Sequence, residues 1–167
     1  MPANRLSIEL HMCLLQIKVD LCVAPTMPQN RWNKKVGNTM GIEWKDAYKI
    51  GDAEIDAQHE ELFVRINKFL LANDRVSQTA SAMSLYQYTR EHFKHEEDLM
   101  RRVNFPNIAP HVEQHNDLIS RLNDVSLAIA NGTLNKADLE AFLADWTKNH
   151  IRIFDTRLTS FVHKHIT

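Results

Sequence analysis

Four stretches of this chain carry apolar side chains at helical spacing, and each is long compared with the connections between them. They run from about residue 57 to 72, 79 to 102, 110 to 131 and 136 to 163. Only 4 glycines and 5 prolines occur among 167 residues, so few positions oppose helix formation. Helices of similar length joined by short connections pack as antiparallel neighbours. The sequence therefore predicts an all-α fold, an antiparallel up-down four-helix bundle.

Turn-forming and capping residues set the predicted helix ends. Asp56 is predicted to cap the first helix, Pro110 to lie in the first turn of the third, and Asn131 with Gly132 to end that helix. Along the fourth helix the spacing predicts an inward stripe consisting of Leu139, Phe142, Trp146, His150, Ile153 and Leu158.

The character of the chain changes near residue 40. Residues 1–39 have no sustained helical period and end in a polar stretch, whereas the pattern from Met40 onward is regular. We expect 1–39 to be an N-terminal extension that is either poorly ordered or not native, with Met40 as the natural start. We expect residues 40–167 to form the folded domain. Both cysteines, Cys13 and Cys22, precede that domain, which argues against a disulfide scaffold or a thiolate metal site within it.

Charge and hydropathy argue against two classes of partner. The formal net charge is -1, which provides no electrostatic basis for binding nucleic acid or an anionic membrane surface. No apolar run approaches the length of a membrane-spanning helix. The partly apolar residues 12–25 make a poor secretory signal because Lys18 and Asp20 interrupt them. We therefore expect a cytoplasmic protein and, since four such helices can close on themselves, a monomer.

The inward faces of the four helices also carry polar side chains of metal-binding types. Residues four apart lie on one face of a helix. His111 and His115 can therefore bind one metal ion together, and His92 and Glu96 form a second such pair. A buried carboxylate without a partner costs several kcal/mol, and neither the second nor the third helix has an inward lysine or arginine. These side chains therefore predict a metal site, with the donors His59, His92, Glu96, His111, His115, His150 and Asp155.

The number and type of these donors indicate the metal. Five imidazoles and two carboxylates are too many for one tetrahedral zinc ion and suit two metals with bridging carboxylates. Nitrogen and oxygen donors without sulfur fit iron or manganese better than copper(I) or zinc. The other four histidines, His11, His95, His163 and His165, are not expected to be ligands.

The spacing of these residues is similar to that of a known family. The matching residues lie between 42 and 163: Trp44, Ile50-Gly51, Ile55 to His59, Leu62-Phe63, His92 to Glu97, Met100, His111 to His115, Trp146, Asn149 to Ile151, and Asp155. With all seven donor positions filled, the chain resembles the hemerythrin family, and specifically the single-domain bacteriohemerythrins.

The resemblance implies a function and a role for each donor. One iron would be held by His111, His115 and His150, and the other by His59 and His92. Glu96 and Asp155 would bridge the two Fe ions together with an oxo or hydroxo group. O₂ would bind at an open position on the two-histidine iron. The expected function is that of a non-haem di-iron protein that binds O₂ reversibly for storage, delivery or scavenging, rather than that of an enzyme.

Further residues are expected around the site, and two alternative functions remain. Phe63, Trp146 and Ile119 are candidate walls of the O₂ pocket, while Gln58 and Asp56 are candidates for orienting the imidazoles. Family members commonly carry a leucine where this chain has Thr147, whose hydroxyl could donate a hydrogen bond to a bound ligand or admit water. A wetter pocket would favour a di-iron enzyme acting on peroxide or nitric oxide. The second alternative is an O₂ or redox sensor.

Overall fold

A computed structural model describes residues 41–166 of the chain. The predicted extension, residues 1–39, lies outside the described residues, and the division into 1–39 and 40–167 stays a prediction. The described part contains helices and no strand: a short 3-10 turn at Asp46–Tyr48, α1 at Ala53–Leu71, α2 at Arg75–Arg102, α3 at Ile108–Asn131, α4 at Lys136–His150 and α5 at Thr156–Ile166. No helix in this part of the chain is long and apolar enough to cross a membrane.

A single π-helical turn, Ile151–Asp155, joins α4 to α5. The backbone at Ile151 and Thr156 stays in the right-handed helical region, so the two helices continue one another as one rod. The fourth predicted helix is therefore present, but the π turn interrupts it. The four rods pack side by side, with α1 against α2, α2 against α3 and α1 against α4. The prediction of an all-α four-helix bundle is confirmed.

Capping residues start the helices at other positions than predicted. The predicted N-cap Asp56 is wrong: Asp52 caps α1 by accepting hydrogen bonds from the backbone of Glu54 and Ile55, both at 3.0 Å. Asp56 lies in the first turn and instead accepts hydrogen bonds from the preceding turn, from the backbone of Ile50 at 2.8 Å. Likewise α2 begins earlier than expected because Asp74 caps it, accepting from the Ser77 amide at 2.9 Å.

The third helix begins two residues before Pro110, which lies in its first turn as predicted. It ends at Asn131, where Gly132 has a φ of 69°, a left-handed conformation that glycine adopts at little cost. This predicted end is confirmed.

Apolar side chains fill most of the space between the rods. The largest buried cluster includes Leu62, Ile66, Leu85, Leu122 and Leu139, each no more than 4% exposed. The segment before α1 closes over this cluster, where Ile42 is buried and pairs its backbone N–H and C=O with the side chain of Asn67, each at 2.8 Å.

One predicted inward residue is wrong: Ile153 is 42% exposed, and Ile151 is buried instead. The π turn changes the helical phase between these positions, which rotates Ile153 away from the bundle axis.

Candidate metal centre

The structure brings all seven predicted donors into one place inside the bundle. His59 comes from α1, and His92 and Glu96 come from α2. Two more, His111 and His115, lie on α3. None of the seven side chains is more than 3% exposed. Their role as metal ligands stays a prediction, but their convergence is a feature of the fold.

The α4 rod supplies the last two donors, His150 and Asp155, and the π turn explains how both can face the centre. Five residues along an α-helix correspond to a rotation of about 500°, which would leave the two side chains about 140° apart. In the π turn the Thr156 amide donates to the Ile151 carbonyl, a bond across five residues rather than four. The wider turn returns Asp155 to the side of His150, and their Nε2 and Oδ1 atoms lie 3.2 Å apart.

The donors form two groups. One contains the imidazoles of His111, His115 and His150, and the other contains those of His59 and His92; Glu96 belongs to both. Within each group the ligand atoms all lie within 4.8 Å of one another. The three-histidine group and the two-histidine group have the same members as the two metal positions that the resemblance implies.

Each carboxylate directs one oxygen toward each group. Asp155 places Oδ2 3.2 Å from Nε2 of His59, while its Oδ1 lies 3.1 Å from Nε2 of His111. Glu96 places Oε1 3.9 Å from Nε2 of His92, while its Oε2 lies 3.2 Å from Nε2 of His115. Two carboxylates that each divide their oxygens between the same two groups have the arrangement of bridging ligands.

The polar atoms at the centre approach one another without forming hydrogen bonds. Both oxygens of Glu96 and of Asp155 are buried and have no hydrogen-bond partner, and the same holds for Nε2 of four of the histidines: His59, His111, His115 and His150. Buried polar atoms are normally satisfied because an unsatisfied one costs about 1–3 kcal/mol. Metal ions between the imidazoles and the carboxylates would satisfy all of these atoms together, so the donor set fits a two-metal centre.

The charges at the centre require cations. Burial raises the pKa of Glu96 and of Asp155, but the surrounding imidazoles outweigh burial and bring both pKa values below their usual range. Both side chains are therefore ionised at neutral pH. The buried polar residues of the described chain include no lysine or arginine. Protons on the imidazoles or bound metals are the available sources of positive charge.

The pKa values of two of the histidines, His92 and His111, shift in opposite directions. Burial dominates at His92 and lowers its pKa to about 4. Burial also lowers the pKa of His111, but the close carboxylates of Asp155 and Glu96, whose nearest oxygens lie 3.1 and 3.7 Å from Nε2, outweigh burial and raise this pKa to about 9. At neutral pH and without metal, His92 is therefore neutral and His111 is cationic, while the carboxylates of Asp155 and Glu96 outweigh burial at His59 and raise its pKa as well.

The comparisons with known proteins agree with this arrangement. The model of the hemerythrin HHE cation binding domain matches residues 51–160. The chain belongs to the hemerythrin family. It is 32% identical over 117 residues to a hemerythrin-like protein of Naegleria gruberi, covering 70% of this chain and 89% of that protein. It is 29% identical over 128 residues to a bacteriohemerythrin of Stenotrophomonas maltophilia, covering 75% and 84% of the two chains.

Solved structures share the fold. A crystal structure of wild-type hemerythrin superposes with a TM-score of 0.62 at 26% identity, covering 69% of this chain and 92% of that one. The buried His/Glu/Asp groups are thus consistent with a hemerythrin-type two-metal site.

Two of the predicted ligand histidines have a side-chain hydrogen-bond acceptor next to Nδ1. Nδ1 of His92 lies 2.9 Å from Oε1 of Gln58, a residue that the sequence analysis proposed for this role. Nδ1 of His115 lies 3.2 Å from Oε1 of Glu97, a contact that the helical pattern of the sequence does not predict. The only sign of this role in the sequence is that Glu97 is an acidic residue directly after Glu96. The other proposed orienting residue, Asp56, is wrong because its carboxylate is bound to the backbone of the turn before α1.

Aromatic rings surround the imidazoles. Phe93 stacks on His115 with 3.7 Å between ring centroids, and Trp146 stacks on His150 at 4.4 Å. The predicted wall residue Phe63 lies one layer further out, against Trp44, whose ring is 6.4 Å from that of His59. Ile119, also a predicted wall residue, packs against the large apolar cluster.

Thr147 is buried, but its hydroxyl is already engaged. Its Oγ1 donates a hydrogen bond to the Leu143 carbonyl at 2.6 Å. The hydroxyl proton is therefore engaged in a hydrogen bond within α4 and is not available to a bound ligand. Thr89, one turn before His92, is also fully buried, and no acceptor or donor for its hydroxyl lies in the described chain.

The remaining histidines lie away from the centre. His95 is within 3.7 Å of Glu54 at the surface, and His163 and His165 are exposed on α5. His11 lies outside the described residues. No candidate metal group found among residues 41–166 contains any of them.

Proposed function

We propose that this chain is a non-haem di-iron protein that reversibly binds O₂, with His111, His115 and His150 at one iron and His59 and His92 at the other. The observation that supports this most is the division of both carboxylates between the two histidine groups. A site built to hold one metal has no need of two bridging carboxylates. Iron is favoured because the donors are nitrogen and oxygen without sulfur.

The two positions differ in the number of donors that the chain provides. If each carboxylate gives one oxygen to each metal, the three-histidine position has five protein donors and the two-histidine position has four. A metal with fewer protein ligands retains more positions for a small molecule. O₂ binding is therefore proposed at the position beside His59 and His92. Bound iron would supply the electrons that reversible O₂ binding requires.

The residues around the centre favour O₂ binding over turnover. Phe93 and Trp146 cover imidazole faces with apolar rings, which limits the entry of water. The hydroxyl of Thr147 is held by Leu143 and is not a free proton donor. Both features weaken the alternative of an enzyme acting on peroxide or nitric oxide. A monomeric state and a cytoplasmic location stay predictions.

An anaerobic-to-aerobic absorption titration with an iron count tests this proposal. We expect about two irons per chain and a visible band that appears in air and disappears when oxygen is removed. His59→Gln should abolish the band and weaken iron binding at one position. His95→Gln, a change of a surface histidine, should alter neither. Two irons with a spectrum that air changes irreversibly would contradict reversible binding and favour the enzyme.

A further inference from the structure

At each metal position one histidine has a side-chain hydrogen-bond acceptor next to Nδ1, and the two acceptors differ in charge. Behind the two-histidine group, His92 faces the neutral amide oxygen of Gln58 at 2.9 Å. Behind the three-histidine group, His115 faces a carboxylate oxygen of Glu97 at 3.2 Å. In each ring Nε2 faces Glu96, so Nδ1 is the atom that carries a proton when Nε2 holds a metal. Both Nδ1–H groups therefore donate, one to an amide and one to an anion.

Neighbouring groups hold both acceptors in place. Arg101 binds the other oxygen of Glu97 at 3.0 Å, which leaves Oε1 for His115. On the opposite side, the Tyr88 hydroxyl donates to the backbone carbonyl of Gln58 at 3.0 Å and joins α2 to α1 at that residue. Glu97 is 21% exposed, so its charge is only partly screened by solvent.

We propose that Glu97 and Gln58 give the two metal positions different reduction potentials, with the higher metal charge favoured at the three-histidine position. This inference rests on the proposed di-iron function. An imidazole that donates to a carboxylate is a stronger electron donor to its metal than one that donates to an amide, because the acceptor's negative charge is shared through the ring. A stronger donor stabilises Fe³⁺ relative to Fe²⁺, so the one-electron couple beside His115 has the lower potential. Glu97 and Gln58 act as positioning residues through their histidines.

The difference can be tested by exchanging the charges. Glu97→Gln removes the anion behind His115, and Gln58→Glu introduces one behind His92. Glu113→Gln is the matched control for a lost charge, since Glu113 is exposed on α3 two residues from His115. Ala57→Asp is the control for an added charge, because Ala57 is exposed on α1 directly beside Gln58.

The first measurement is an anaerobic titration of the iron-loaded protein with a small-molecule reductant, followed by absorption. Each step adds one electron to one Fe³⁺. Glu97→Gln is expected to shift one couple about tenfold toward Fe²⁺, which is about 59 mV for one electron. Gln58→Glu is expected to shift the other couple toward Fe³⁺. The two controls should leave both couples in place.

The second measurement needs neither iron redox chemistry nor O₂. Metal-free protein is titrated with Co²⁺, and Glu97→Gln is expected to weaken one of two binding steps about 10- to 100-fold, as loss of such an outer partner typically does. Gln58→Glu is expected to tighten the other step. If Glu97→Gln does not fold by circular dichroism, Gln58→Glu with its control carries both measurements.

Equal shifts in a variant and its control would overturn the inference, because bulk charge would then explain them. Unchanged couples and unchanged Co²⁺ binding in both variants would also overturn it. A failure of the di-iron proposal would look different: the unaltered protein would not bind two metals at all.

Discussion

The bundle interior contains two regions of different chemistry. In the apolar region, side chains such as Leu62, Ile66, Leu85 and Leu122 are buried against one another and leave no polar atom to satisfy. In the metal region, seven buried polar side chains face one another, and most of their central atoms have no hydrogen-bond partner. The apolar region is complete once the chain folds. In the metal region the central polar atoms obtain partners only when cations bind. A large part of the stability of this protein should therefore depend on bound metal.

Removing the metals should have the largest effect. A ligand at 1,000 times its dissociation constant stabilises the folded state by about 4.1 kcal/mol. Two metal positions at that saturation would contribute about 8 kcal/mol. Chemical denaturation followed by circular dichroism, before and after chelation, should show this loss in the free energy of unfolding. An unchanged midpoint after chelation would mean that the two regions do not differ in this way.

The next largest effect is expected for His115→Ala in the metal-loaded protein. This change removes one of three imidazoles from a metal position and leaves Glu96 without one of its closest partners. The variant should lose at least one metal and about 4 kcal/mol of stability with it. In the metal-free protein it should cost less than a core truncation. Iron counts and denaturation curves of both forms check this, and a variant with full iron and an unchanged midpoint would refute it.

A truncation in the apolar region should behave differently. Leu122→Ala opens a cavity among buried side chains and is expected to cost about 2–5 kcal/mol. Because Leu122 has no part in the metal centre, the cost should be equal with and without metal. The same denaturation experiment measures both values. A cost that disappears when the metals are removed would show that the two regions are not independent.

Acid and base should destabilise the metal-free protein through different histidines. The pKa of His92 is about 4 when folded and 6.5 ordinarily, so its contribution to stability is lost as pH falls from 6.5 to about 4. The pKa of His111 is about 9 when folded, so its contribution is present below 6.5 and lost as pH rises to about 9. Each loss can reach about 3 kcal/mol.

We therefore expect a stability maximum near pH 6.5 in the metal-free protein. Replacing His92 by Gln should flatten the curve between pH 6.5 and about 4.5, above the range in which Glu96 and Asp155 lose their own contributions, and replacing His111 by Gln should reduce the loss on the alkaline side, to which His59 also contributes. Leu122→Ala should lower the whole curve without changing its shape. Denaturation midpoints across the pH range test this, and an unchanged slope between pH 6.5 and about 4.5 in His92→Gln would count against the assignment to His92.

The smallest effect is expected at two buried hydroxyls. Thr147→Val removes the hydrogen bond to the Leu143 carbonyl and should cost about 1 kcal/mol in both forms. Thr89→Val is the matched comparison, since its hydroxyl has no partner within the described chain and the change should not destabilise. Neither should alter the iron count. A Thr147→Val variant that lost O₂ binding would show that its hydroxyl faces the ligand after all.

Helical spacing in the sequence predicts some features of both regions and not others. The bundle and the inward positions follow from helical spacing, and so does the convergence of donors such as His92 and Glu96, four residues apart on α2. The π turn does not follow from spacing, because it depends on a backbone hydrogen bond between Thr156 and Ile151. Its change of phase accounts for the wrong prediction at Ile153.

Side-chain partners between helices were harder to predict than positions along one helix. Glu97 contacts His115 only because of how α2 and α3 are rotated against each other, which a single helical pattern does not encode. Similarly, Asp52 and Asp56 are both acceptable helix caps by residue type, and the fold of the preceding turn decides between them.

The most direct test of the two-metal centre is anomalous diffraction at the iron absorption edge from crystals of the iron-loaded protein. We predict two peaks about 3.5–4 Å apart, the usual separation in two-metal sites, each contacted by one oxygen of Glu96 and one of Asp155. The peak beside His111, His115 and His150 should have one more histidine than the peak beside His59 and His92. A single peak, or two peaks that do not share these carboxylates, would contradict the account.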